Sequence, residues 1–204
     1  MNQIITIGRE FGSGGRELGK RLSDLLGYAY YDKEIINEIA RRTQLAESYV
    51  QQVIEHKEKI LFPITVGRTL QPIAGATTSD LAATVYTEQA NVIREMAEKS
   101  DCIIIGRCAD HILREFQPLR LFVYADMNAK MARCRQKGED GESLNDHQLE
   151  KKIRQVDKNR ARYYRYYTGQ DWGDRANYDL SINTTSITVK ECAEMLAQML
   201  EKRK

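Results

Sequence analysis

The sequence predicts an α/β protein: a parallel sheet with helices on both faces. Three observations predict it. Five short apolar runs alternate with stretches of helical period. The run Cys102-Ile103-Ile104-Ile105-Gly106 is apolar throughout, as a strand covered on both sides must be. The first apolar run breaks into four glycines between Gly8 and Gly15, and helical spacing then resumes at Leu18, Leu22, Leu25 and Leu26.

In chain order, strands are expected at 3–8, 28–31, 102–106, 120–125 and 178–182. Helices are expected at 16–26, 33–42, 47–57, 79–99, 128–136, 145–166 and 189–203. Two segments break the alternation. Residues 60–83 hold two of the three prolines and the cluster Thr77-Thr78-Ser79, and are expected to form a loop between helices. Residues 137–145 are polar and lead into a basic helix.

The 204 residues suit one domain with two insertions. A net charge of +2 argues against a nucleic-acid binder, so any positive field must be local to a site. The four cysteines form no C-x-x-C pair and no metal-like spacing, which points to reduced thiols. No apolar run approaches the roughly 20 residues of a membrane span, and the first is too short for a signal peptide. A cytoplasmic protein without a membrane partner is expected.

The stretch from Ile4 to Gly19 reads as strand, tight turn and helix N-terminus. Such a corner aims backbone N–H groups at one point with the helix dipole behind them, which suits a phosphate. The candidate phosphate-binding residues are Gly8, Gly12, Ser13, Gly14, Gly15, Arg16 and Glu17. The alternative is a turn whose glycines only let strand and helix pack closely. The loop departs from a standard Walker A: with Gly14 as its last glycine, the lysine position holds Gly15 and the next holds Arg16. Arg16 is the expected stand-in for the missing charge. Glu17 either turns outward as a first-turn acid or helps to hold magnesium.

Three further groups carry chemistry. Gly106-Arg107 follows a buried strand, at the carboxyl edge where open α/β sheets bind ligands, with Asp110 three positions on. An arginine there can hold a phosphate, or else form a strand-end salt bridge. Arg154, Asp157 and Arg160 recur every three residues and are expected to share a helix face, with Arg162 nearby. They can clamp transferring phosphates; the alternative is a solvated face of ion pairs. Asp32 follows the second strand, either capping the next helix or lying beside an acceptor site.

In this order the four pieces resemble the cytidylate kinase-like family, a branch of the P-loop nucleoside monophosphate kinases, over nearly the whole length. Ile5–Glu17 aligns without gaps on the kinase segment Ile-Ala-Ile-Asp-Gly-Pro-Ser-Gly-Ala-Gly-Lys-Gly-Thr. Asp32 falls on the aspartate of Asp-Ser-Gly, Gly106-Arg107 on Gly-Arg-Asp, and Asp157–Ala161 on Asp-Arg-Asn-Arg-Ala. The resemblance implies a P-loop NTPase fold, a five-stranded parallel sheet of order 2-3-1-4-5. It also implies an acceptor-binding insertion around 33–100 and a lid around 136–167.

By the same resemblance the protein is an ATP-dependent kinase using Mg2+, with CMP or dCMP as first acceptor and small nucleotides as its partners. Arg16, Arg107, Arg154, Arg160 and Arg162 would form the catalytic set. Asp32, Arg107 and Asp110 would bind the acceptor, and Glu17 and Asp32 would be the metal ligands. A non-catalytic nucleotide sensor, or a kinase for another phosphorylated metabolite, are the competing expectations.

Overall fold

The computed structural model describes residues 2–55, 78–138 and 144–201. Five strands form one sheet: β1 (Ile4–Arg9), β2 (Ala29–Tyr31), β3 (Cys102–Ile105), β4 (Leu119–Tyr124) and β5 (Leu180–Asn183). Their order is β2-β3-β1-β4-β5 and every neighbouring pair is parallel. The expected order is therefore observed, with strand ends shifted by a residue or two. The helices are α1 (Gly15–Leu26), α2 (Lys33–Thr43), α3 (Glu47–Glu55), α4 (Thr78–Lys99), α5 (Ala109–Ile112), α6 (Met127–Gln136), α7 (Asp146–Thr168) and α8 (Val189–Glu201).

Strand alternation sorts the core into two layers. Ile5 and Ile7 of β1, with Ile103 and Ile105 of β3, face Leu18 and Leu22 of α1 and Leu196 of α8. Ile4 and Ile104 face the other way, toward Ile35 and Ile39 of α2, Val50 of α3 and Ile93 of α4. All three isoleucines of β3 are fully buried, each contributing about 2 kcal/mol by leaving water. A smaller cluster of Cys134, Leu149 and Ile153 joins α6 to α7, with Phe11 packed against it.

The helix ends follow local chemistry. Gly14 and Gly27 bracket α1 in left-handed conformations, φ 83° and 70°, where a side chain would be strained. Asn145 and Gln148 close a capping box at the start of α7. Asp126 caps α6 by accepting the N–H of Ala129 at 2.7 Å.

The loop expected over 60–83 lies mainly outside the described residues, but its last part is a correction. The helix expected over 79–99 is observed as α4, so residues 78–83 belong to it and not to the loop, because Leu81 and Val85 continue one helical stripe into the core. Residues 139–143 of the expected polar turn also lie outside the described residues. The short α5 was not expected; it opens straight from the left-handed turn after β3. The four cysteines are buried and none is in a disulfide. Among the described residues no helix is long and apolar enough to cross a membrane.

Candidate active site at the carboxyl edge of the sheet

Register brings the pieces together. Ile7 pairs with Ile105, and Tyr31 with Ile104, so β1, β3 and β2 end at nearly the same level. The glycine loop, Gly106-Arg107 and Asp32 therefore emerge side by side at the carboxyl edge. A cavity of about 280 Å³ opens there, lined by Arg9, Arg16, Arg107 and Arg160 together with Asp110 and Tyr163.

Asp32 lies at the centre of these arginines, with its side chain only 5% exposed. Its Oδ2 is 2.5 Å from Nε of Arg16, while Oδ1 is 3.8 Å from Arg9 and 4.0 Å from Arg107. Oδ1 itself has no hydrogen-bond partner among the described residues. Arg107 also donates from Nε to the backbone carbonyl of Asp32 at 3.3 Å. No side-chain cap joins Asp32 to α2, so its carboxylate serves the arginine cluster and not the helix end. Burial pulls the Arg107 and Arg160 guanidinium pKa values down, with Asp32 and Asp157 respectively opposing it most. Arg9 and Arg107 are buried beside Asp32, with Arg16 and Arg160 next to them; Glu47, Glu55 and Asp110 also line the cavity, and an anionic ligand would meet several guanidinium groups there.

The backbone beneath Arg107 is strained. Gly106, Arg107 and Cys108 are all left-handed, at φ 67°, 58° and 55°. Gln89, fully buried, donates from Nε2 to the Arg107 carbonyl at 2.9 Å, and Tyr163 donates its hydroxyl to Gln89 Oε1 at 3.2 Å. This chain from α7 through α4 to β3 holds the turn in a conformation that Arg107 alone would leave. Asp110 lies one turn further on, accepting the Tyr164 hydroxyl at 2.6 Å. Burial pushes its carboxyl pKa up, only partly offset by that hydrogen bond.

The glycine loop is tightly packed. A Cβ on Gly12 would lie 2.8 Å from the Lys130 carbonyl, and one on Gly14 would lie 2.6 Å from Val189. Gly8 lies under Phe122 and Tyr178. Close packing therefore requires these glycines whether or not a phosphate binds. The Ser13 hydroxyl is buried and donates to the Glu10 carbonyl at 2.8 Å. Thr184 donates to the Ser13 carbonyl at 2.7 Å, and Arg133 donates to the carbonyls of Gly12, Ser13 and Thr184.

Glu17 takes the outward course. Its carboxylate pairs with Arg21 at 2.9 Å and with Lys137 at 3.0 Å. Partial burial pushes its pKa up, but the hydrogen bonds from those two cations outweigh it and hold the carboxyl below its usual range. Asp32 is engaged by arginine, and no group of three or more metal-type ligands exists among the described residues. The expected Glu17–Asp32 donor pair does not fit a protein-held magnesium ion.

Helix α7 divides the basic segment. Asp157 and Arg160 face the loop: Asp157 accepts the Phe11 N–H at 2.6 Å, and Arg160 donates to the Arg9 carbonyl at 3.1 Å. Arg154 does not join them. Its side chain is 66% exposed and pairs with Glu150 at 2.7 Å. Spacing by three drifts around the helix, so Arg154 and Arg160 lie about 120° apart, and Arg162 about 160° from Arg160. Arg162 is accordingly exposed and lies outside the cavity lining.

Sequence reasoning missed Arg9 and Lys130. Lys130 is buried and bridges Glu10 and Asp157, at 2.9 Å each. Burial lowers its pKa, but these two carboxylates more than compensate and the net shift is upward. Nothing in the period of α6 distinguishes Lys130 from its charged neighbours. Arg9 carried a signal, since it stands where the aligned kinase segment has a glycine.

A parallel 2-3-1-4-5 sheet, a glycine loop between β1 and α1, and an arginine-lined cavity beside it define a kinase of P-loop fold. The chain belongs to the cytidylate kinase-like family, whose sequence model matches residues 4–186. It is 23% identical over 192 residues to a cytidylate kinase of Desulfurococcus amylolyticus, covering 94% of this chain and 89% of that one. Among solved structures, an uncharacterized protein from Eubacterium ventriosum superposes with a TM-score of 0.70 at 24% identity, covering 98% and 99% of the two chains. A shikimate kinase from Bacteroides thetaiotaomicron does so with 0.57 at 15% identity, covering 98% and 99%.

Proposed function

We propose that the protein transfers the γ-phosphoryl group of ATP to a nucleoside monophosphate, with CMP or dCMP as first choice. The observation that supports this most is the convergence of Arg16, Arg107 and Arg160 on the cavity beside the glycine loop. Phosphoryl transfer asks a protein mainly for positioning and charge neutralisation, and converging guanidinium groups supply both.

In this reading the first-turn N–H groups of α1, which have no intrahelical partners, receive donor phosphate oxygens. Arg107, only 8% exposed and held from behind by Gln89, anchors the acceptor phosphate. The unpartnered Oδ1 of Asp32 accepts a hydrogen bond from the acceptor. Arg160 reaches the transferring group from α7, and the segment around 136–167 acts as a lid that keeps water out.

A second reading has its own support. Gly15 offers no cation, and Arg16–Glu17 offer no hydroxyl where the aligned kinase segment ends in Gly-Thr, so the loop lacks two of the usual transfer groups. A nucleotide sensor would tolerate that; a kinase for another phosphorylated metabolite remains the third reading. An ADP-release assay with ATP, magnesium and a panel of nucleoside monophosphates separates them. Turnover with CMP or dCMP is expected. ATP binding without turnover on any acceptor would replace the reading with the sensor.

A further inference from the structure

Resting on that kinase reading, we propose that Arg9 supplies the phosphate-facing cation of the glycine loop and so replaces the ammonium group of a P-loop lysine. The alignment of Ile5–Glu17 places Arg9 on the first loop glycine and Gly15 on the lysine. The two departures are one exchange. A Cβ on Gly15 would lie 2.5 Å from Cβ of Arg9 and 3.1 Å from its Cγ, so only one of the two positions can carry a long side chain. The room that a lysine at 15 would use is taken by the stem of Arg9.

The guanidinium then runs toward the cavity floor. Its Nη1 occupies the place where a Cβ on Gly106 would stand, and Gly106 is left-handed as well, so no other residue fits there. The side chain is 13% exposed, yet among the described residues its nearest carboxylate oxygen in an ion pair is 3.8 Å away, beyond hydrogen-bond length. Arg16, the expected stand-in, differs in both respects: it is half exposed and already bonded to Asp32 at 2.5 Å. A buried guanidinium without a hydrogen-bonded anion is costly, and an incoming phosphate oxygen relieves that cost. Arg160 donates to the Arg9 carbonyl, which seats a second guanidinium beside the first.

The step balances without a further reagent. An acceptor phosphate oxygen forms a bond to the γ-phosphorus, and the bond from that phosphorus to the β–γ bridging oxygen breaks. The electron pair leaves on ADP. Arg9 keeps its protons throughout and neutralises oxygen charge on the transferring group.

The test compares Arg9→Gly, Arg16→Ala, Gly15→Lys and the double variant Arg9→Gly/Gly15→Lys. At saturating ATP and CMP, Arg9→Gly is expected to lower kcat about 100-fold and Arg16→Ala by about 10-fold or less. Gly15→Lys should be damaged because its side chain collides with Arg9. Adding Arg9→Gly to it should raise kcat at least about tenfold above Arg9→Gly alone, since a lysine then fills the vacated space. A kcat for Arg9→Gly within about threefold of wild type, or a larger loss for Arg16→Ala, would overturn the assignment.

Calorimetric ATP binding tests Arg9 independently of turnover and of the double variant's folding. Arg9→Gly should weaken binding at least about tenfold, and Arg16→Ala by about threefold or less. If wild type binds ATP but phosphorylates no nucleotide, the kinase reading falls and this comparison alone decides the Arg9 assignment. If wild type binds no ATP, both fall.

Discussion

Asp157 Oδ1 accepts the backbone N–H of Phe11 at 2.6 Å, so one carboxylate on α7 holds the glycine loop by its main chain. The other oxygen takes the ammonium of Lys130, which also binds Glu10. Among the described residues Lys130 is the cation that bonds to both acids, and it is almost fully buried. Lys130→Met should therefore lower the unfolding free energy by about 3 kcal/mol, because it leaves Asp157 buried without its partner. Asp157→Leu added to it should cost less than the sum of the two single changes. Urea unfolding of the four proteins measures this; strict additivity would show that the pair is not coupled.

The drift of α7 predicts a sharp contrast between two arginines on the same helix. Arg154→Ala removes an exposed i,i+4 pair and should change stability by less than about 0.5 kcal/mol and leave kcat unaltered. Arg160→Ala removes a cavity-lining guanidinium and should lower kcat about 100-fold. Steady-state kinetics on both variants checks it, and equal losses would restore the shared face that the spacing of three had suggested.

Asp110 predicts a pH dependence. Its folded pKa lies above the ordinary 3.8, so its favourable contribution is complete below about pH 4 and is lost as pH rises through the raised value. Asp110→Asn keeps an oxygen to accept the Tyr164 hydroxyl but cannot ionise. Its stability relative to wild type should therefore increase as pH rises. Urea unfolding at intervals between pH 4 and 8 gives the difference; a gap that is flat or closes on going upward contradicts the assignment.

Gln89 predicts an effect at a distance. It touches the Arg107 carbonyl and not the cavity, and it braces a left-handed turn. Gln89→Leu should raise KM for the acceptor about tenfold while leaving KM for ATP within about twofold, because only the seat of Arg107 relaxes. Both constants rising together would place the damage in the sheet as a whole.

The sequence made the architecture legible because two signals were strong. Apolar runs of strand length and a glycine cluster before a helical stripe are short-range features, and Ile103 to Ile105 could only be a covered strand. Asp32 and Arg107 were legible for the same reason: each comes directly after a strand, and parallel strands deliver the residues at their carboxyl ends to one edge. A spacing of three misplaces Arg154, because 3.6 residues per turn rotates the face away, and Arg162, two residues from Arg160, points to the far side of the same helix. Lys130 was illegible, since burial of a lysine depends on acids 120 and 27 residues distant. Arg9 was overlooked because it ends a strand, although an arginine in place of a glycine and a glycine in place of a lysine together marked it.

The central claim is that the arginines around Asp32 separate an acceptor phosphate from a donor phosphate. Calorimetric titration of Arg107→Ala with CMP and, separately, with ATP tests it most directly. The account predicts that CMP affinity falls at least about 30-fold, as loss of a charge-assisted contact should make it, with ATP affinity within about twofold of wild type. Equal loss of both affinities would contradict it.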